Sequence, residues 1–252
     1  MTNSLMAAAG IGVISQARMG STRLPGKVLL TARGIFMLEF HVRRLQASGL
    51  PVYIATTTLP EDDIIEKHAG QLAIPCFRGS SDDVLSRYYG AAKQFGLKTI
   101  VRVTSDCPLI DGNLIRQGVA QFQAAANPRL YLSNGIVRTF PRGLDFEVFS
   151  FELLAEAQQH ASTLSDREHV TPYIHQNRSG KVEFSHVTRE PNVSRLRVTL
   201  DTPEDFALLK VLLEQYHADV LSGGQLVHLL EDHPELVALN ADIEQKKYDF
   251  TK

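Results

Sequence analysis

The chain of 252 residues contains only two cysteines, Cys76 and Cys107, and its formal net charge is only -2. Two cysteines do not make a disulfide framework, and no CxxC pair or Cys/His cluster suggests zinc. A near-neutral charge argues against a nucleic-acid binder, which would show a basic face. No apolar run approaches the roughly 20 residues of a membrane helix, so no membrane insertion is expected. The first 15 residues hold an apolar stretch but no basic n-region, and they read as a frayed end leading into a strand. These absences leave a soluble, cytoplasmic protein as the expectation. The length suits one large α/β domain or two small ones.

One familiar motif is also missing. "QARMGSTRLPGKVL", residues 16–29, has the ingredients of a phosphate-binding loop but not the P-loop spacing G-x-x-x-x-G-K-[ST]. Five residues separate Gly20 from Gly26, and Val28 follows Lys27.

What is present is an alternation of short β-branched runs with longer helical ones. Strands are predicted at 11–15, 52–58, 74–79 and 99–104. Helices are predicted at 35–49, 60–72, 80–96 and 113–126, with Ile35, Leu38, Val42 and Leu45 on one face of the first. Ser80, three residues before Asp83, has capping-box spacing. Such alternation predicts right-handed βαβ units and a mainly parallel sheet. The second half is less regular. Strands are expected at 130–134, 143–150, 182–187 and 195–200. Helices are expected at 150–161, 165–177 (Ser165 opening, Glu168 three on), 202–216 and 224–233. Thr202, Pro203 and Asp205 form a helix start. The tail 244–252 is expected to be mobile. One α/β domain with a smaller α+β lobe accounts for this pattern.

Ligands of open parallel sheets sit beyond the carboxyl ends of the strands. Arg18, Ser21, Arg23 and Lys27 follow the first strand within ten residues, suiting a polyphosphate or, equally, a solvated basic loop. Asp106 in "VTSDCPLID" has the chemistry of a Mg²⁺ ligand, although many Asp-Pro turns are only turns. Asp201 in "RVTLDTPEDF" offers a second carboxylate, or an acid serving the next helix N-terminus. Asp145 and Glu147 lie two apart on a predicted strand and so share a face, toward a sugar or toward solvent. Arg138 and Arg142 could meet an acceptor anion, and His169 has the chemistry of a general base. His169 and His175 are six apart, which is not the i, i+4 metal spacing.

"ARMGSTRLPGK", "SDCPLID" and "LDTPEDF", in this order, resemble the cytidylyltransferases that activate acidic sugars, typified by the 3-deoxy-manno-octulosonate (KDO) enzyme. The likeness is closest to the branch named for spore-coat polysaccharide biosynthesis protein F, as "FRGSSDDVLSRYY", "PRGLDFEVFSFELL" and "REHVTPYI" also suggest. It covers roughly residues 10–215. The resemblance implies a Rossmann-like α/β fold of glycosyltransferase-A/nucleotidyltransferase type. It would be a single domain, with a nucleotide-binding core at about 10–135, an acceptor and dimer lobe at about 136–195, and a return strand with C-terminal helices at about 196–252. The implied reaction transfers CMP from CTP to a sugar hydroxyl for surface polysaccharide synthesis, with Mg²⁺ and pyrophosphate release, in a homodimer. Carried over, Arg18, Lys27 and Asp106 would be catalytic. Ala17, Arg18, Gly20, Ser21, Arg23, Lys27, Ser80 and Asp82 would hold the nucleotide. Asp106 and Asp201 would be the metal ligands, and Arg142, Asp145, Glu147 and His169 would face the acceptor. The family commonly has glycine before the first aspartate, where this chain has Ser105. Two alternatives remain: a glycosyltransferase, although no D-x-D ends a strand here, and a non-catalytic nucleotide-binding partner.

Overall fold

A computed structural model describes residues 10–244. The expected frayed start and mobile tail lie outside the described residues, apart from their inner ends. The elements are β1 (Ile11–Gln16), β2 (Thr31–Ala32), β3 (Ile35–Phe36), α1 (Met37–Gln46), β4 (Val52–Thr57), α2 (Asp63–Gln71), β5 (Cys76–Gly79), α3 (Val84–Gln94), β6 (Thr99–Thr104), α4 (Gly112–Ala125), β7 (Leu130–Ser133), β8 (Glu147–Ser150), α5 (Phe151–His160), α6 (Leu164–His169), α7 (Pro172–His175), β9 (Glu183–His186), α8 (Pro203–Gln215), α9 (Gly223–Asp232) and α10 (Pro234–Val237). Seven strands form one sheet in the order β5-β4-β1-β6-β8-β7-β9. All its pairings are parallel except the two that β8 makes with β6 and β7. A single reversed strand in an otherwise parallel Rossmann-like sheet matches the expected fold.

Period-two alternation builds the layers. Val13, Ile54, Val101, Leu132 and Val148 pack on one face, against Leu38, Val42 and Leu45 of α1, Ile65 of α2 and Ile115 and Val119 of α4. Ile14, Ala55, Ile100, Tyr131 and Phe149 pack on the other, against α3, α5, Val170 and Ile174. Fully burying each such aliphatic side chain contributes about 1.5–3 kcal/mol. A third cluster joins Met37 and Phe40 to Leu208, Leu209 and Leu212 of α8 and Leu226 and Leu230 of α9. It seats the C-terminal helices α8 and α9 against α1.

Several boundaries differ from expectation, each for a local reason. The helix expected from residue 80 starts at Val84, because Asp83, not Ser80, caps it by accepting the Ser86 amide at 2.9 Å. Ser80 instead accepts the Asp83 amide, one turn earlier. The helix expected over 165–177 is two short ones. Its capping box is Thr163–Asp166, not Ser165–Glu168, and Val170 at φ 73° interrupts it. Residues 195–200 form no ladder; Arg197 makes only an isolated bridge to Arg142. There Gly143 (φ +104°) lies so close to the Val198 backbone that a Cβ would sit 2.6 Å from it. The expected Thr202–Asp205 capping box, with Pro203 at the first turn, is formed.

Candidate active site

The basic loop leaves β1 and folds back over the strand ends. Gly26 takes φ 66°, a left-handed conformation that suits glycine, and its amide donates to Met19 O at 3.0 Å. Asp62, in the segment 60–72 predicted as a helix, is buried and anchors the loop. It accepts the Met19 amide at 2.7 Å and the Thr57 hydroxyl.

Lys27 Nζ bridges two carboxylates, Asp106 Oδ2 at 2.9 Å and Asp201 Oδ1 at 2.7 Å. Burial would lower the Lys27 pKa, but these two anions outweigh it and leave it raised. Burial would likewise raise the Asp106 carboxyl. Lys27, with the Thr104 hydroxyl at 2.6 Å, outweighs this and holds it at about 2. Asp201 also meets Arg23 at 3.1 Å and Arg197 at 3.2 Å. Arg197 makes a two-pronged pair with Asp205, the capping residue of α8, and Asn240 supports Asp205 from behind. The cap therefore belongs to Thr202 and Asp205, which leaves the Asp201 carboxylate to face Lys27.

Ser105, the departure from the family pattern, has a side-chain role. Its hydroxyl meets the Ser15 hydroxyl at 2.7 Å, and Ser15 meets His41 Nε2 at 2.7 Å. His41 Nδ1 lies 2.8 Å from Cys107 O. With a proton on Nδ1, His41 donates to that carbonyl and accepts from Ser15. The circuit therefore grips the backbone on both sides of Asp106 (Ser105 and Cys107). His41 is fully buried, and burial pulls its pKa down to about 4, so it is neutral at pH 7.

Two cavities meet above this centre. One, of about 490 Å³, is lined by Gln16, Ala17, Arg18, Ser21, Arg23 and Lys27 among others. Gln16, one of its lining residues, keeps its Oε1 buried with no hydrogen-bond partner. The other, of about 330 Å³, is lined by Arg138, Arg142, Asp145 and Glu147, with Tyr131 and His175 deeper in. Glu147 is ion-paired with Arg102 at 2.6 Å and Asp145 with Arg138 at 2.5 Å. Burial, then the Glu147 charge, push the Tyr131 phenol well above its ordinary value and keep it a donor. Burial also lowers His175. Five residues line both cavities: Arg102, Thr104, Asp106, His169 and Asp201.

His169 reaches that junction through a three-residue turn. The Thr171 amide donates to His169 O at 2.9 Å across Val170, whose φ 73° and ψ -53° are those of a strained γ-turn. Such a conformation for a buried β-branched residue costs on the order of 1–3 kcal/mol and persists only where its surroundings impose it.

The structure therefore brings Ala17, Arg18, Ser21, Arg23, Lys27, Asp106, Asp201, Arg142, Asp145, Glu147 and His169 to two adjoining cavities. Gly20, Ser80 and Asp82 line neither. Ser80 O instead accepts from Arg87, the fully buried arginine beneath that loop. Sequence reasoning did not assign site roles to Asp62, Thr104 or His41, and it left Arg102 at a strand position that could face the pocket or pack outward; the structure turns it into the junction of both cavities. Only Arg102 and Thr104 left a signal, as polar residues alternating with Val101 and Val103 in an apolar strand.

A phosphate-suited loop and two strand-end carboxylates, on a Rossmann-like sheet and beside an acceptor-sized cavity, define a nucleotidyltransferase. A model of the cytidylyltransferase family matches residues 12–237, and the chain belongs to that family. It is 32% identical to spore coat polysaccharide biosynthesis protein SpsF of Bacillus subtilis over 88% of this chain and 94% of that one. A solved cytidylyltransferase from Leptospira borgpetersenii superposes with TM-score 0.85 at 33% identity, covering 94% of this chain and 99% of that one. The CTP complex of CMP:2-keto-3-deoxy-manno-octonic acid synthetase shares the fold at TM-score 0.58 and 18% identity, over 81% of this chain and 98% of that one.

Proposed function

We propose that this protein transfers CMP from CTP to a hydroxyl of an acidic, polyhydroxylated sugar and releases pyrophosphate, in the synthesis of a surface polysaccharide. The observation that carries this reading is the pair of cavities meeting at Asp106 and Asp201. The basic-loop cavity takes the nucleotide, with Arg18, Ser21, Arg23 and Lys27 on the triphosphate. The second cavity takes the acceptor, where Asp145 and Glu147 receive hydroxyl hydrogen bonds and Arg142 meets the acid group.

Asp106 and Asp201 fit Mg²⁺. Both are oxygen donors, and they already hold one cation, the Lys27 ammonium, between them. Among the described residues no group of three or more His, Cys, Asp or Glu forms a cage. Mg²⁺ typically takes one or two carboxylates and completes its shell with water and substrate phosphates. Bound there, the ion would neutralise phosphate charge.

The chain's own residues do the rest. The loop aligns the triphosphate, and the second cavity aims the acceptor hydroxyl at the α-phosphorus. The new bond joins that oxygen to the α-phosphorus. The bond to the β-phosphate oxygen breaks, and pyrophosphate leaves with the electron pair. His169, at the junction, takes the hydroxyl proton.

The test is pyrophosphate release from CTP with Mg²⁺ and a panel of acidic sugars, with KDO as the first probe. Release that requires both CTP and an acidic sugar supports the reading. Turnover of a nucleotide-diphosphate sugar instead would contradict it.

A further inference from the structure

Arg102 is the arginine among the five residues shared by the two cavities, and the reaction as derived above gives it no role. We propose that Arg102 binds a non-bridging oxygen of the nucleotide's α-phosphoryl group and that Glu147 positions it there. The proposal rests on the reading of the two cavities as nucleotide and acceptor sites.

The placement follows from the sheet. Arg102 and Glu147 are cross-strand partners in the β6–β8 ladder, where the sheet reverses direction. Ile100 of β6 and Phe149 of β8 pack on the α3/α5 face. By alternation, Arg102 and Glu147 emerge on that same face, one step closer to the site. The guanidinium donates to Glu147 Oε1 at 2.6 Å and stands 5.5 Å from the centre of the buried Tyr88 ring. Tyr88 is itself fixed, donating to Val103 O at 2.7 Å. The cation is thus oriented before any ligand arrives, as electrostatic stabilisation of a transferring group requires.

Its position also selects the α-phosphoryl. Lys27 and Arg23 line only the nucleotide cavity, whereas Arg138 and Arg142 line only the acceptor cavity. The phosphorus that exchanges a pyrophosphate oxygen for an acceptor oxygen must sit where the two spaces join. Charge gathers on its non-bridging oxygens during that exchange. A guanidinium can hold a carboxylate and a phosphoryl oxygen together because its five donors fan out in one plane.

The test is calorimetric titration of the wild-type chain, Arg102→Ala, Arg102→Lys and Glu147→Gln with CMP, CTP, cytidine and inorganic pyrophosphate, each with Mg²⁺. The first two ligands contain the α-phosphoryl and the last two do not. Arg102→Ala is expected to lose roughly tenfold or more in affinity for CMP and CTP, with cytidine and pyrophosphate unchanged. Arg102→Lys recovers part of the loss, and Glu147→Gln shifts CMP affinity by less than Arg102→Ala does. Thermal melts of each variant check that it is folded. Equal losses for all four ligands would reduce Arg102 to a structural role, and unchanged CMP affinity would remove it from the α-phosphoryl; either overturns the proposal while the proposed function stands. A wild-type chain that binds neither CMP nor CTP would overturn both.

Discussion

His41 offers a clean pH experiment. In the fold it is fully buried and neutral, accepting from Ser15 and donating to Cys107 O. Its pKa falls from 6.5 to about 4 because burial penalises the imidazolium. The unfolded chain therefore binds a proton between pH 6.5 and 4 that the folded chain refuses. The contribution is fully present above pH 6.5 and is lost as the pH falls through the folded value. A shift of this size corresponds to about 3 kcal/mol lost between pH 7 and pH 4. His41→Gln replaces the titrating ring with an amide that can still donate and accept. Urea unfolding of both proteins at half-unit steps from pH 7.5 to 4 isolates the effect, since the other carboxylates titrate in both. The wild type should fall about 3 kcal/mol further than the variant. Parallel curves would refute the buried, neutral histidine and with it the clamp on the Asp106 loop.

Other outcomes follow from the same geometry. Asp106→Asn should abolish turnover while nucleotide binding without Mg²⁺ largely survives; normal turnover would remove Asp106 from the metal site. Lys27→Met leaves Asp106 without its ammonium partner. CTP affinity should fall at least roughly tenfold, whereas an unchanged affinity by calorimetry would place the triphosphate elsewhere. Ser105→Gly breaks the Ser15 hydrogen bond and should cost on the order of 1–3 kcal/mol in urea unfolding. A variant as stable as wild type would show that the circuit does not hold the loop.

The fold was legible wherever local pattern and tertiary packing agree. The four parallel strands β5, β4, β1 and β6 and the long helices between them follow from apolar periodicity alone. The helix starts at 80 and 165 were misplaced because Ser, Thr and Asp residues cluster there, and spacing cannot show which hydroxyl or carboxylate turns to which amide. Residues 195–200 look like a strand, yet they pair with the neighbouring segment only through the Arg197–Arg142 bridge, beside Gly143, where a Cβ would collide with the Val198 backbone. At the site, the loop and the two aspartates were legible because chemistry-bearing residues stand at strand ends. Asp62, His41 and Ser15 were not. Each acts through hydrogen bonds to residues between 5 and 90 positions away, such as the 2.7 Å bond between Ser15 and Ser105.

The central claim is that the cavity beside the basic loop binds CTP and that Asp106 and Asp201 bring Mg²⁺ to it. Calorimetric titration of the purified chain with CTP, UTP, ATP and GTP, with and without Mg²⁺, tests it most directly. Selective binding of CTP that strengthens with Mg²⁺ is the predicted result. Binding of none of the four, or a preference for a nucleotide-diphosphate sugar titrated alongside, would contradict it.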